Sequence, residues 1–326
     1  YSSSDDAIDK EISSLKAAGF DLTDEGDVNA FLGTQMTKDK DNNITMTQPA
    51  LIETILKLLK LENDSKQHAT PAISPPLQPY KDAQKFNEQW DYRSAIGLLT
   101  YLARNTCPDL EYAVHMCARF QADPCKPHGN AIKRIGRYLL RTKDKGIQFR
   151  PSNNVNTLEC YVDADFAGAY CSTNNEDPNG VRSRSGCVIM FGNCPITWFS
   201  RLQTEIALST TEAEYIALST AAREILPLRE LIIELNTIIK ITDDSTLNIN
   251  CTLFEDNKGA EELAKVPKTQ PRIKHIAIKY HHFREAVRNK IINVCRIDTQ
   301  EQNTNIFTKA LPHQTTNIFA KILSDG

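Results

Sequence analysis

Three acidic residues sit in three different local frames, and no other feature constrains the fold of this chain as tightly. Asp163 closes the apolar run Leu158-Glu159-Cys160-Tyr161-Val162, which reads as a strand. Glu214 lies in Ser209-Thr210-Thr211-Glu212-Ala213-Glu214-Tyr215, which reads as the start of a helix. Asp256 lies in Thr252-Leu253-Phe254-Glu255-Asp256-Asn257, a strand running into a helix. Like charges brought together cost free energy unless a cation sits among them. Mg²⁺ takes hard oxygen ligands, so its site is built from carboxylates rather than His or Cys. Two such ions about 4 Å apart stabilise both the attacking and the leaving oxygen of a phosphodiester. Asp163 on a central strand is placed to bridge both ions, with Glu214 and Asp256 completing most of the cage. Taken singly, each acid has a plainer reading, since Asp256 before Asn257 also has the position of a helix N-cap.

The 326 residues leave room for two domains, and the break at Ser152 to Asn156 sets the boundary near 150. In 1–150 the pattern predicts a helix over 5–18, a strand pair at 31–36 and 44–47 joined by the polar turn 38–43, and a helix after Pro49. The proline-rich stretch at about 62–90 reads as a loop or linker. Three helices follow, near 91–104, 109–121 and 127–142. In 151–326 the order is strands 158–164, 185–191 and 195–200, helix 210–235, strand 249–255, helices 257–265 and 275–289, strand 291–297 and helix 301–310. A meander followed by alternating helices and strands implies an α/β fold, a mixed sheet with helices on its faces.

Composition (40% apolar, 24% charged) is that of a globular chain, and no run of about 18 apolar residues suggests a membrane span. The nine cysteines form no C-x-x-C pair, so they read as buried free thiols in a reducing compartment. Net charge is −3, but basic residues cluster. Residues 126–150 carry Arg134, Arg137 and Arg141 among eight cations against one acid, and 265–290 carry Lys274 among eight more. Such stripes suit a phosphate backbone, or are simply solvated helix faces. Trp90 and Trp198 read as core or loop anchors. His275, His281 and His282 read as structural or phosphate-contacting.

The segment Tyr161-Val162-Asp163-Ala164-Asp165-Phe166-Ala167-Gly168 resembles the first motif of RNase H domains in copia-type (Pseudoviridae) retrotransposon Pol polyproteins. Ile206 to Tyr215, Glu255-Asp256-Asn257-Lys258-Gly259-Ala260, Ile273-Lys274-His275-Ile276 and Asn305-Ile306-Phe307-Thr308-Lys309 resemble its later motifs, in order over 151–326. Upstream, Asn29 to Gly33, Tyr92 to Gly97, Tyr101-Leu102 and Cys107-Pro108-Asp109-Leu110 resemble the region after a polymerase active site: palm end, thumb and connection. The resemblance implies an RNase H-like five-stranded mixed sheet. It implies Asp163, Glu214 and Asp256 as ligands of two Mg²⁺ (or Mn²⁺) ions that cleave the RNA strand of an RNA–DNA hybrid. Partners would be the hybrid and the remainder of the reverse transcriptase, in cytoplasmic particles or the nucleus. RNA would be told from DNA by contacts to 2′-hydroxyls, with Asn257 a candidate. Ser209, Thr210 and Thr211 are expected to cap the helix, with Glu214 three residues on.

Two positions depart from the family. Its fourth carboxylate, in a pattern like A-D-I-F-T-K, is Asn305 here, which keeps a carbonyl oxygen but loses a charge. Reduced activity or a higher Mg²⁺ requirement is expected, with Glu301 a nearby compensating acid. The usual Lys-His-Ile-Asp reads Lys274-His275-Ile276-Ala277. The chain starts without Met and holds no Tyr-x-Asp-Asp motif, so it reads as a fragment that does not polymerise on its own.

Overall fold

The computed structural model describes residues 5–21, 30–150, 152, 156–172, 177, 179–239, 248–265 and 278–316. Two hydrophobic cores organise it. The first is helical. After α1 (Asp5–Ala17), a small antiparallel sheet forms from β1 (Ala30–Phe31), β2 (Thr34–Lys38), β3 (Ile44–Thr47) and β4 (Ile147–Phe149). Beside it pack α2 (Pro49–Leu58), α3 (Tyr92–Asn105), α4 (Glu111–Ala118) and α5 (Lys126–Thr142). Each helix buries the stripe its periodicity supplies, such as Ile52 and Ile55 of α2, Leu99 and Leu102 of α3, and Ile132, Ile135 and Leu139 of α5. Asp91 caps α3 by accepting from the Ser94 amide at 2.7 Å. The strand β4 escapes the sequence pattern. It pairs with β3 because Gly146 lets the chains close: a Cβ there would lie 2.0 Å from the Met46 carbonyl oxygen.

Residues 62–90 form no regular element apart from a bridge of Lys85 to Cys125, but they are not a free linker. They wrap α5 as a strap. Arg134 donates to the Thr70 carbonyl (3.1 Å) and hydroxyl (2.8 Å), Arg137 pairs with Asp64 at 2.9 Å, and Lys133 with Glu88 at 2.9 Å. The strap's own Leu77 and Trp90 are buried in the helical core.

The second core is built on a five-stranded sheet of order β7-β6-β5-β8-β9. Strands β5 (Thr157–Asp165), β6 (Arg184–Phe191) and β7 (Cys194–Leu202) form an antiparallel meander. β8 (Asn250–Glu255) and β9 (Ile292–Arg296) add in parallel on the other side of β5. This is the mixed α/β sheet expected. The long helix α6 (Thr210–Ile239) and α7 (Lys258–Lys265) cover one face, over Leu158, Cys160, Val162, Cys187, Ile189 and Leu253. The opposite face, with Val188 and Met190, is covered by α9 (Asn305–Thr308) and by the helical core.

Two expected helices are shorter. For 275–289 the described part is a 3-10 turn (Ile278–His281) and the five-residue α8 (Arg284–Arg288), because Phe283, fully buried, anchors the chain between them. For 301–310 only the single turn α9 is helical, because buried polar side chains tie its approach to β5: Gln302 donates to the Val162 carbonyl at 2.7 Å and Thr304 to Gln302 at 2.7 Å. No helix among the described residues is long and apolar enough to cross a membrane.

The two cores meet along a polar seam. Arg119, just past α4, pairs with Asp177 at 2.6 Å, both side chains under a tenth exposed. Arg184 is buried against His115 (3.0 Å), Ser200 (3.1 Å) and the Tyr112 ring. Trp198 donates its indole N–H to the Ala103 carbonyl at 2.9 Å. Trp90 packs with Phe86 and Tyr92, so both tryptophans are anchors. None of the nine cysteines forms a disulfide; Cys160 and Cys187 face each other at 3.2 Å between sulfurs inside the core.

Candidate metal centre

The sheet order puts β5 between β6 and β8, so the ends of β5 and β8 lie side by side beneath the start of α6. One ligand oxygen from each of Asp163, Glu214 and Asp256 therefore falls within 4.8 Å of the others. Asp163 and Glu214 are buried and Asp256 is half-buried. Burial, the Thr308 hydroxyl and nearby charges act on Asp163. Burial dominates and raises its carboxyl above the usual range, with Asp256 and Asp165 adding to the rise, while Thr308 and Lys309 oppose it. Glu214 is pushed much further up, first by burial, then by the charges of Glu255, Asp163 and Asp256; a backbone hydrogen bond from Ala164 opposes them. One Glu214 oxygen, Oε2, is buried without a partner. Carboxylates in this state gain from a cation, and the all-oxygen donor set fits Mg²⁺ or Mn²⁺.

The capping roles fall on neighbours of the expected acids, two residues before Glu214 and one after Asp256. Ser209 accepts from the Glu212 amide at 3.2 Å, and Glu212 reaches back to the Leu208 amide at 2.9 Å. Glu212, not Glu214, is thus the acid of the helix start, which frees Glu214 for the cluster. Asn257, not Asp256, caps α7: its Oδ1 accepts from the Ala260 amide at 3.0 Å and from the Thr211 hydroxyl at 3.4 Å.

Asn305 is buried on α9, and its side chain hydrogen-bonds to none of the three acids. Its Nδ2 donates to the carbonyls of Gln302 (3.1 Å) and Thr299 (3.4 Å), while Oδ1 is buried without a partner. The same turn reaches the cluster through Thr308, whose hydroxyl donates to Asp163 Oδ2. Glu301 is exposed in the turn before α9 and is not among the three acids whose oxygens converge. Lys274, His275 and Ala277 lie outside the described residues. Arg134 and Arg137 spend donors on the strap; Arg141 is exposed. His281 meets the Tyr215 hydroxyl at 2.7 Å, a structural contact.

Sequence reasoning missed Thr308 and Glu255. Thr308 stands in the A-D-I-F-T-K-like segment, but nothing in that pattern gives its hydroxyl a role. Glu255 does: it alternates with Cys251 and Leu253 on the buried face of β8 and is wholly buried. Asn257 donates its amide to one Glu255 oxygen at 3.0 Å, and the other has no partner.

No family model matches the chain. The retrovirus-related Pol polyprotein from transposon TNT 1-94 of Nicotiana tabacum is 32% identical over 300 residues, 90% of this chain and 21% of that protein. The corresponding polyprotein from transposon RE1 of Arabidopsis thaliana is 33% identical over 304 residues, 92% of this chain and 19% of that protein. An uncharacterized mitochondrial protein of Arabidopsis thaliana is 30% identical over 206 residues, 63% of this chain and 80% of that protein. The chain thus spans about a fifth of the length of the Pol polyproteins it matches. Among solved structures, the N-terminal RNase H domain of a Mycobacterium tuberculosis protein aligns with 51% of this chain and 96% of its own, at 10% identity and a TM-score of 0.31. RNase H1 of Halobacterium salinarum aligns with 52% and 99%, at 11% identity and 0.27. These superpositions are loose, and the RNase H-like fold rests on the strand order and helix placement described above. With a third of its residues shared over nine tenths of its length, the chain belongs to the retrovirus-related Pol polyproteins of copia-type transposons.

Proposed function

We propose that 151–326 is an RNase H that hydrolyses the RNA strand of RNA–DNA hybrids with Mg²⁺ or Mn²⁺, and that 1–150 is the palm end, thumb and connection of a reverse transcriptase. The observation that carries this is the convergence of Asp163, Glu214 and Asp256 within 4.8 Å, where the ends of β5 and β8 meet the start of α6. These three would hold the metal. When bound, the metal supplies an activated water and a counter-charge for the phosphodiester. Thr308 fixes the orientation of the Asp163 carboxylate through its hydroxyl. Burial of Asp163 and Glu214 excludes bulk water and strengthens every charge interaction there. Preference for RNA would come from donors and acceptors meeting the 2′-hydroxyls in the minor groove. The Asn257 side chain retains its Nδ2 for such a contact while Oδ1 caps α7. The hybrid and the rest of Pol are the proposed partners, in cytoplasmic particles and the nucleus.

The test is cleavage of an end-labelled RNA–DNA hybrid with added Mg²⁺ or Mn²⁺. Wild type should cut the RNA strand, and Asp163→Asn should lose about a hundred-fold or more, since metal stabilisation of the transition state is worth several kcal/mol. Cleavage untouched by Asp163→Asn would refute the assignment. A second reading, a hybrid-binding remnant that does not cut, is favoured by one observation: the Asn305 amide is tied to backbone carbonyls instead of offering a fourth charge. It requires salt-sensitive hybrid binding with no cleavage at any concentration of either metal.

A further inference from the structure

The acidic charge around the metal centre does not end with its three ligands. Glu255 continues the buried face of β8 past Cys251 and Leu253, where Leu253 pairs with Cys160 of β5. By the two-residue period of both strands, it stands on the α6 side of the sheet, the side from which Glu214 descends. It is wholly buried, at 0% exposure. Asn257 donates to its Oε1 at 3.0 Å, while its Oε2 is buried without a partner, as is Oε2 of Glu214. Among the charges acting on Glu214, that of Glu255 is the largest. Glu255 in turn feels Asp256 and Asp163, opposed only by the amides of Asn257 and Asp256 among its main influences. An uncompensated carboxyl in such a place is costly to keep. At the same time Asn305 brings no charge, and its amide is engaged elsewhere.

We propose that Glu255 supplies the fourth negative charge of the divalent-metal site, from behind Glu214, in place of the charge that Asn305 lacks. This rests on the metal-dependent reading of the triad. Glu255 lies outside the set whose oxygens fall within 4.8 Å of one another. It is therefore a positioning residue, acting on the ion through Glu214 and through its own field. Side chains that back metal ligands in this way commonly contribute 10- to 100-fold in metal affinity.

The experiment is a calorimetric titration of the full 326-residue chain with MnCl₂ and no nucleic acid, paired with thermal melts of the metal-free protein. Glu255→Gln, which keeps shape and removes charge, should weaken Mn²⁺ binding by about ten-fold or more and raise the metal-free melting temperature. Glu255→Asp should hold affinity nearer to wild type. Asn305→Asp should restore binding in the Glu255→Gln background more than it improves wild type. A residue that merely packs would lower the melting temperature and leave Mn²⁺ affinity alone, and that result overturns the proposal. So does affinity within two-fold of wild type in Glu255→Gln. Glu255→Leu, which is apolar and suits the buried site, reads the same affinity if the Gln variant does not fold. Asp163→Asn separates the two levels of the argument. If wild type does not bind Mn²⁺, or binds it as well as Asp163→Asn does, the metal-centre reading itself falls. If Asp163→Asn loses binding and Glu255→Gln does not, only the role of Glu255 falls.

Discussion

Gly186 sits opposite Asp163 in the β5–β6 ladder, and α9 lies directly on it. A Cβ at this position would approach Thr308 Cγ2 at 2.7 Å, Phe307 Cβ at 2.8 Å and the Thr304 carbonyl at 3.3 Å. Unstrained carbon pairs stand at about 3.5–4.0 Å, so Gly186→Ala must push α9 off the sheet by about 1 Å. Overpacking of this kind costs about 1–3 kcal/mol. The same shift draws the Thr308 hydroxyl away from Asp163, and a hydrogen bond to a charged group contributes about 1.5–3 kcal/mol. The sum is a loss of about 2.5–6 kcal/mol from one added methyl group. Gly97, inside α3, has nothing within 4 Å of its would-be Cβ. Gly97→Ala should therefore gain about 1 kcal/mol from helix propensity alone. Urea denaturation separates the two, because Trp198 reports on the sheet and Trp90 on the helical core. Gly186→Ala should shift the Trp198 transition down and weaken Mg²⁺ binding. If it costs less than about 1 kcal/mol, below the overpacking range, while Gly97→Ala behaves as stated, then α9 does not clamp Asp163 and the reasoning fails.

Burial and mutual repulsion hold Asp163, Glu214 and Glu255 above their ordinary carboxyl range, so the folded chain keeps protons that the unfolded chain has released. Metal-free stability should then fall as pH rises from about 5, by up to about 1.4 kcal/mol per pH unit for each such proton; melts of Glu214→Gln should show a shallower fall, and saturating Mg²⁺ should reduce it in wild type. Asn305→Asp removes the donor from the buried Gln302 carbonyl and from that of Thr299, so it should destabilise the metal-free protein by about 1–3 kcal/mol while increasing the stabilisation that Mg²⁺ confers; a variant more stable than wild type without metal would contradict the amide geometry. Asp177→Ala strands Arg119 in the seam, where its side chain is 9% exposed, and should cost about 3–5 kcal/mol by denaturation, the usual range for a broken buried pair.

The meander and the frames of the three acids were legible because each rests on a local period: alternation in β5, β6 and β8, and the capping pattern at the start of α6. What stayed hidden depends on contacts between distant segments. The strand β4 is three residues long and exists because Gly146 admits the Met46 carbonyl. The strap at 62–90 has no period, and its order comes from cations of α5. Residues 301–310 keep helical composition, yet Gln302 and Thr304 are drawn into hydrogen bonds that end with β5, leaving one turn. Glu255 was hidden by its neighbour, since reading Asp256 as the functional acid drew the eye from the residue on the buried side of the same strand.

The way α5 holds the strap has a consequence for how a nucleic acid would be gripped. Affinity for a phosphate backbone comes largely from counterions released when free cations replace them. Lys133 and Arg137 already have carboxylate partners in the strap, Glu88 and Asp64, so they release none without first letting the strap go, and Arg134 keeps its charge but has donors committed to Thr70. On this helix and its exit, the cations free to do so are exposed ones such as Arg141, Lys143 and Lys145. The half of the stripe nearest the strap thus works as mortar, and the ionic-strength dependence of any hybrid binding through this face would be set at its far end.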